Sequence, residues 1–474
     1  MRDRSIIVLD AGKTLSKLTL WDPKGQLLER RSRANERIDA GPYLSLDAAG
    51  IESWLAGALR DFARLAHVAA LIPVGHGAAA ALIRAGALVQ PPLDYEHAIP
   101  ESCHEDYNAQ RDPFALTGSP ALPNGLNLGA QLHYLEALQQ RPFDAPVTVV
   151  PWAQYWSWLL SGVAAADVTN LGCHTDLWFP LAAAHSKLSI QRGWAARMAP
   201  LKPSAAVVGP LSAQWVERTG LGPDVQIHCG VHDSNAALLA AHAFSEIAGR
   251  DATVLSTGTW FIAMRTPPGE AVGTVGAVGT VGAVGALPET RDCLLNVNAF
   301  GRPIPSARFM GGREIEILTG GSRVDAREQQ PALLRAVPEV VTRGTMVLPT
   351  FAPGSGPFPN GRGRWIAQPQ TDAQRLAAVC LYAALVADVS LDLIGAKDRL
   401  LIEGRFAQCE VFVRALASFR PNTAVYVAHS ESDASFGALR LVNPDLSPPS
   451  SLTRVAPLPQ NLKDYRQRWR EEAG

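Results

Sequence analysis

Residues 6–9 (IIVL) are an apolar run that stops at an Asp-Ala-Gly turn, the pattern of a buried strand. Residues 17–22 (KLTLWD) alternate, Pro23-Lys24-Gly25 forms a turn, and residues 26–31 can pair back. The chain therefore opens with a strand meander. Residues 50–66 carry apolar side chains at helical spacing (Ile51, Trp54, Leu55, Ala58, Leu59, Phe62, Leu65), and residues 68–73 form another apolar strand that ends at Gly75-His76-Gly77. Strands alternating with helices place the chain in the α/β class. The opening pattern recurs at residues 252–256, followed by a Thr257-Gly258-Thr259 turn, a return strand at 260–264 and a third strand at 293–297. This recurrence follows a helix-like stretch at 234–244. It divides the chain into two domains, residues 1–245 and 246–474. Downstream, the pattern predicts a long helix over 374–394, a strand at 399–402, a helix at 407–418, a strand at 424–428 and a helix over 433–442. The tail from 443, Pro-rich and then charged, reads as a surface extension. Residues 271–286, with Gly at every third position and no Pro, read as an expanded loop, and the Pro/Gly cluster at 349–363 as another.

Composition narrows the class. The 474 residues are 47% hydrophobic and 18% charged, which is globular and ample for a core without metals or disulfides. Lys+Arg 43 against Asp+Glu 44 gives a formal charge of -1. No basic excess steers the chain to nucleic acid or anionic lipid. Six scattered cysteines without a CxxC pair read as free thiols of a reducing compartment. The N-terminal apolar run is too short for a signal peptide, and no segment offers about 20 uncharged apolar residues for a membrane span. The expectation is a cytoplasmic protein without a nucleic-acid or membrane partner; a homodimer is left open.

Several polar clusters sit at strand ends. Asp10-Ala11-Gly12-Lys13-Thr14 looks like the end of a P-loop, but the Gly that G-x-x-x-x-G-K-[ST] requires is Ile7. What remains is a tight turn able to offer N–H groups and a hydroxyl to a phosphate, with Asp10 able to hold Mg²⁺ through water, or else an ordinary hairpin with an exposed lysine. Ser256-Thr257-Gly258-Thr259-Trp260 is a second turn of the same kind. Two such turns, one opening each half, can clamp phosphates between them. In Gly230-Val231-His232-Asp233-Ser234-Asn235, Asp233 is either a helix N-cap or a general base, and His232 beside it can bind a substrate hydroxyl. His76, between two glycines, is accessible or merely structural. A polar stretch from Asp167 through Thr169, Asn170, Cys173 and His174 to Asp176 follows an aromatic helix (Trp152, Tyr155, Trp156, Trp158) that reads as core. Glu403-Gly404-Arg405-Phe406 is a strand-to-helix turn that can face a nucleotide or be an ordinary βα loop. No G-x-S-x-G, H-E-x-x-H or G-x-G-x-x-G after the first strand is present, so serine hydrolase, zincin and Rossmann dehydrogenase readings lose support.

Taken in order, these motifs resemble the FGGY family of carbohydrate kinases, in its rhamnulose-kinase-like branch, over about residues 5–442. Asp10–Lys17 (DAGKTLSK) is similar to the family's first phosphate motif, with Lys13 interposed. Gly75-His76-Gly77 resembles its sugar-contacting M-H-G segment, and residues 158–171 its L-T-G-x-x-x-T-D-x-S-x-A segment, with Ala166 before Asp167. Gly230–Asn235 resembles the motif of the catalytic Asp, and Ser256–Trp260 the second phosphate motif. Asn298 with Gly301 resembles the N-x-x-G region, and Gly404 stands where the adenosine motif has two glycines. The resemblance implies a two-domain actin/Hsp70/sugar-kinase (ribonuclease H-like) α/β fold with ATP, Mg²⁺ and a sugar in the interdomain cleft. It implies Asp233 as general base, and Asp10, Gly12, Lys13, Thr14, Ser256, Thr257, Gly258, Thr259 and Gly404 at the nucleotide. Asp10 would also meet the metal through water, and Gly75, His76, His232, Ser234 and Asn298 would meet the sugar, a ketose or related polyol. Two alternatives share the fold: a sugar- or nucleotide-binding protein impaired in transfer, and a sugar-independent ATPase.

Overall fold

The computed structural model describes residues 4–138, 143, 145–268, 287–428, 433–448 and 450–474; the Gly-repeat segment 271–286 lies outside them. The first half is built on a seven-stranded sheet. Its elements are β1 (Ser5–Ala11), β2 (Leu15–Trp21), β3 (Leu27–Ala34), α1 (Ala48–Leu65), β4 (Val68–Gly75), α2 (Trp152–Ser161), α3 (Val168–Leu171), β5 (Val207–Pro210), β6 (Gln226–His228), β7 (Val231–His232) and α4 (Asp233–Ala241). The strand order is β5–β6–β4–β1–β2–β3, with β7 also on β4. The predicted meander is antiparallel, and β4 lies parallel to β1 across a crossover that includes α1. The second half holds β8 (Ala252–Thr257), β9 (Phe261–Thr266), β10 (Cys293–Val297), β11 (Pro303–Phe309), α5 (Gln330–Arg343), α6 (Asp372–Leu393), β12 (Arg399–Gly404), α7 (Glu410–Phe419), β13 (Ala424–Val427), α8 (Ala434–Val442), β14 (Thr453–Arg454) and α9 (Lys463–Ala473). Its sheet order is β10–β11–β9–β8–β12–β13–β14, with β12 parallel to β8. Each sheet thus has a three-strand meander with a parallel strand beside its first member, the repeat anticipated from the strand-turn-strand pattern.

Two expectations are corrected. Cys293–Val297 is a strand as expected, but it sits at the sheet edge, and the strand that completes the second meander is Pro303–Phe309. Two prolines made that segment read poorly as a strand, since proline donates no ladder hydrogen bond. They are tolerated because β9 pairs only with Ser306–Phe309, which leaves Pro303 and Pro305 beside β10 alone. The tail is also not a plain surface extension. Helix α9 buries Tyr465 and Trp469 in the second core, and the indole N–H of Trp469 donates to the Val347 carbonyl at 2.6 Å. Two aromatics four apart on a charged helix make one narrow apolar stripe, which short-window hydropathy misses.

Each half has its own core. The aromatic helix α2 buries Trp152, Tyr155 and Trp156 in the first, as expected, with the Trp152 and Tyr155 rings stacked 5.5 Å apart. Helix α6 runs through the second. It has the length and hydropathy of a membrane span, and 89% of that apolar window is buried within the protein. Two helices cross between the halves. Helix α8, from the second half, packs Phe436 and Leu439 on the first sheet, while α4 sends Leu238 and Ala241 to the second. They touch backbone to backbone, so a Cβ at Gly437 would lie 1.7 Å from the Ala236 carbonyl oxygen. Alanines on α4 and glycine on α8 make that approach sterically open. All six cysteines are free.

Candidate active site

The register of the first sheet collects the chemistry at one edge. Ala11 on β1 and His232 on β7 both lie beside Gly75 on β4, and Asp10 lies beside Val74. The strand ends therefore present Asp10, His76 and Asp233 together, at the carboxyl ends of parallel strands where α/β sheets bind ligands.

Asp10 is buried and faces Lys17 directly across the ladder, at 3.1 Å. Burial raises the Asp10 carboxyl, Lys17 opposes that, and the carboxylates of Asp233 and Asp433 add to it. Three carboxylates facing one cleft make a negative locus that suits a cation. Among the described residues no three His, Cys, Asp or Glu side chains converge as a metal cage. Mg²⁺ held by waters, phosphates and a single carboxylate needs none, so Asp10 fits it through water. Gly12 is required by the turn, because a Cβ there would lie 2.6 Å from the Leu15 carbonyl oxygen. The Asn35 amide donates to the Gly12 carbonyl at 2.7 Å and holds the loop. Lys13 reaches away from the turn. Its ammonium pairs with the fully buried Asp94 and lies 5.2 Å over the Tyr95 ring.

The second turn is stitched to β12. The Thr257 hydroxyl donates to the Glu403 carbonyl at 2.5 Å and accepts the Phe406 N–H at 3.0 Å. The Ser256 hydroxyl donates to the Glu403 carboxyl at 2.5 Å. Gly404 has φ +82, and a Cβ would meet the Thr257 carbonyl at 2.3 Å. A single glycine therefore lets β12 come against this turn.

Asp233 opens α4. The N-cap position is His232, whose ring Nδ1 accepts the Ser234 N–H at 3.2 Å, a donor it shares with the Asp233 carboxylate. Asp233 Oδ1 receives the Ser234 N–H at 2.6 Å and the Ser234 hydroxyl at 3.3 Å. Its Oδ2 takes no hydrogen bond from a described residue, and the side chain is 37% exposed at the cleft. The strand end is fixed from behind. Buried Asp167 caps α3 and accepts the Thr169 hydroxyl at 2.5 Å, and that hydroxyl accepts the His232 N–H at 3.0 Å. His76 is buried against Tyr95 and Trp152. Burial drops its ring to about 4, so it is neutral; Nδ1 is bonded to the Gly77 carbonyl at 2.8 Å, and Nε2 has no partner among the described residues. A neutral ring donating from Nδ1 leaves Nε2 as a bare acceptor.

A cleft of about 1300 Å³ joins these parts. Asp10, Gly12, Lys13, Thr14, Asp233, Ser234, Ser256, Thr257, Gly258 and Gly404 all line it. Gly75, His76, His232, Thr259 and Asn298 do not line this cleft. Gly75 lies tight against α2, where a Cβ would be 2.9 Å from the Ala153 nitrogen. The Asn298 side-chain oxygen Oδ1 accepts the Phe300 and Arg302 N–H groups, each at 3.0 Å, closing its own loop.

Residues 249–449 match the model of the carbohydrate kinase FGGY C-terminal domain. The crystal structure of a carbohydrate kinase from Novosphingobium aromaticivorans is 52% identical, with a TM-score of 0.89, over 100% of this chain and 99% of that one. The chain belongs to the FGGY carbohydrate kinase family. Its fold is shared by the xylulose kinase of Rhodospirillum rubrum (18% identity, TM-score 0.76, 99% of this chain and 97% of that). Plasmodium falciparum glycerol kinase with ADP is similar in the same way (13% identity, TM-score 0.76, 99% and 92%). No curated protein sequence matches.

This FGGY kinase carries charged cleft residues to which the motifs assigned no role. Lys17 stands 3.1 Å from Asp10 and 3.9 Å from Asp433, and Arg30 is 3.8 Å from Asp433. The Asp10–Lys17 pair had a signal, since tight-turn counting sets those residues opposite each other. Asp433, the N-cap of α8, had the usual capping signature. Glu403 also lines the cleft. Burial pushes its carboxyl up to about 7, helped by Asp433 and opposed by the Ser256 hydrogen bond and Lys17. No local pattern announces that.

Proposed function

We propose that this kinase transfers the γ-phosphoryl group of ATP to a hydroxyl of a small ketose or related polyol, with Asp233 as general base. The observation that carries it is Asp233 itself, which has one carboxylate oxygen tied to the α4 N-terminus and the other free at a cleft flanked by two phosphate-sized turns. In this reading the first half, residues 1–245, carries the acceptor, with Gly75, His76, His232 and Ser234 around it, and Asn298 of the second half meets it as well. The second half, residues 246–474, carries the nucleotide against Ser256–Thr259 and Gly404. Asp233 Oδ2 accepts the acceptor hydroxyl's proton as that oxygen attacks the γ-phosphorus and ADP leaves. Asp10 would hold Mg²⁺ through water, and the ion would supply neutralisation of the phosphate charge. Lys17 balances Asp10, and the turn amides and hydroxyls orient the phosphates; such transfer is mostly positioning and charge stabilisation. The neutral His76 Nε2 can accept only from a donor, which suits a sugar hydroxyl. A dependence on cellular ATP fits a cytoplasmic enzyme.

The test is a coupled ADP-release screen over ketopentoses, 6-deoxyketohexoses, aldoses, polyols and sugar acids, with Asp233→Ala as control. One sugar class should stimulate the wild type, and the folded variant should lose about 10²–10⁴-fold, the usual worth of general-base help. ADP release indifferent to every sugar would instead identify an ATPase, and near-wild-type turnover by Asp233→Ala would end the general-base assignment.

A further inference from the structure

A second joint between the halves lies away from α4 and α8, and the mechanism above does not use it. At its rim, the Glu289 carboxylate of the second half accepts hydrogen bonds from Arg111 Nη1 at 3.1 Å and from the Ala121 N–H at 3.2 Å, both of the first half. Deeper in, the halves meet closely. The Leu295 N–H on β10 donates to the Gly118 carbonyl at 2.8 Å, and Val297 packs against Gly172, where a Cβ would lie 2.4 Å from its methyl carbon. The joint flanks the acceptor end of the cleft. Asn298 follows Val297, and Cys173 follows Gly172. A Cβ on Gly77 would in turn lie 3.3 Å from Cys173 Sγ and 2.7 Å from His232 Nε2. His76 and His232 are covered, at 6% and 4% exposure, and His76 Nε2 is buried without a partner among the described residues. An acceptor reaches that nitrogen only when the cover opens.

We propose that Glu289 is a positioning residue that latches the two halves shut around the acceptor, gripping Arg111 and the Ala121 N–H while the acceptor is held and letting go to admit it. The proposal rests on the phosphotransfer reading, with the acceptor beside His76 and His232. The two sides of the grip are built unequally. Arg111 is fixed: its side chain is 9% exposed, and its Nη2 donates to the fully buried Asp176 at 3.1 Å and also to the Ser119 carbonyl. The Tyr107 hydroxyl holds Asp176 from the other side at 2.6 Å. Glu289, by contrast, is 36% exposed. Letting go therefore strands neither charge, because Arg111 keeps Asp176 and Glu289 passes to water. An ion pair with one partner at the surface gains little over hydration, so this grip is weak enough to be made and broken in every turnover. A pair buried on both sides would not be, since parting it leaves a charge unpaired in the interior. The grip also has a route into the cleft. Asp292, three residues on, accepts Arg308 Nε at 2.9 Å and the Gly356 N–H at 3.0 Å. The Arg308 guanidinium lies 4.9 Å over the ring of Trp260, which lines the cleft beside the second phosphate turn. The latch thus ties Arg111 of the first half to the turn that orients the phosphates.

The experiment compares wild type, Glu289→Gln, Glu289→Ala and Glu289→Lys in two ways: by hydrogen exchange of the free enzyme, and by kcat and both KM values on the sugar that the ADP-release screen identifies. Glutamine keeps an oxygen for the Ala121 N–H but loses the charge facing Arg111; alanine removes both bonds; lysine sets a like charge against Arg111. Exchange in the peptides that hold Ala121 and Leu295 quickens in that order, by about tenfold for alanine, the worth of a half-exposed ion pair and one further hydrogen bond. Peptides of β1 and β8 keep their wild-type exchange. KM for the acceptor rises by about the same factor, because less of the enzyme is closed at equilibrium, and KM for ATP is unchanged. ADP release without sugar becomes a larger share of the total as water enters the cleft. Should Glu289→Lys fail to fold, the two uncharged variants carry the series. Equal exchange in all the variants and the wild type overturns the latch. Quickened exchange with an unmoved acceptor KM makes Glu289 a packing contact and overturns its role in the reaction. A wild type that no sugar stimulates sinks the phosphotransfer reading and this role with it, whereas a stimulated wild type whose variants match it in exchange and KM sinks the latch alone.

Discussion

Glutamine in place of Glu403 keeps the shape and the oxygen that accepts the Ser256 hydroxyl but removes an ionisation. Burial lifts this carboxyl from 4.5 to about 7. In unfolded chain the group ionises near its ordinary value, whereas the folded protein holds the proton until about 7. The unfolded state therefore binds fewer protons across that window, and stability falls as pH rises through it. Below 4.5 both states are protonated and the cost vanishes; above 7 it is complete. Taken at face value the rise is worth about 3 kcal/mol. Glu403 is only half-buried and lines an open cleft, so screening leaves about 1–2 kcal/mol. Glu403→Gln, which cannot ionise, should then melt about 3–6 °C above wild type at pH 8, for a domain-sized cooperative unit of roughly 200 residues. The two melting temperatures should converge as pH falls toward 4.5. Paired thermal scans at several pH values decide it. An increment that does not change with pH, or a variant less stable at pH 8, would refute the argument, because either outcome means the folded carboxyl ionises as freely as the unfolded one.

Trp469→Ala empties a fully buried indole site and strands the Val347 carbonyl, which should cost about 3–5 kcal/mol. Hydrogen exchange should show the loss in α6 and the second sheet while β1 and β4 keep their protection. Lys13→Met leaves buried Asp94 with Arg37 at 3.3 Å, so a loss of about 1–3 kcal/mol is expected, less than for a pair broken outright. Because Lys13 points to the Asp94–Tyr95 loop, its kinetic effect should be on the acceptor KM. A rise in KM for ATP alone would show that the ammonium serves the phosphates instead.

Much of the frame follows from local pattern. The run Ile6–Leu9 could only be a buried strand, Gly12 only a tight turn, and the apolar spacing of residues 50–66 only a helix face, because each signal is the period of one element's buried side. The ordered succession of turns after strands located Asp10, Ser256 and Asp233, and one cleft joins all three. Where local propensity and packing compete, packing wins. Asp233 looks like the cap, but the N-cap position falls on His232, whose N–H Thr169 holds from behind, and both side chains accept the Ser234 N–H. Pro303 and Pro305 argue against a strand, but the ladder to β9 ends at Met264–Ser306 and leaves that side of both prolines unpaired.

Residue order alone marked the main buried strands and helix faces, where the chain had to turn, and which chemistry stood at those turns, since these depend on neighbours a few positions away; the buried stripe of the last helix escaped it. Tertiary structure alone decided how the side chains there are charged and aimed. Ser256 meets Glu403 across 147 positions, and Lys13 meets Asp94 across 81. Hydrogen bonds, desolvation and ion pairing act over a few ångströms in space, so no pattern along the chain can carry them.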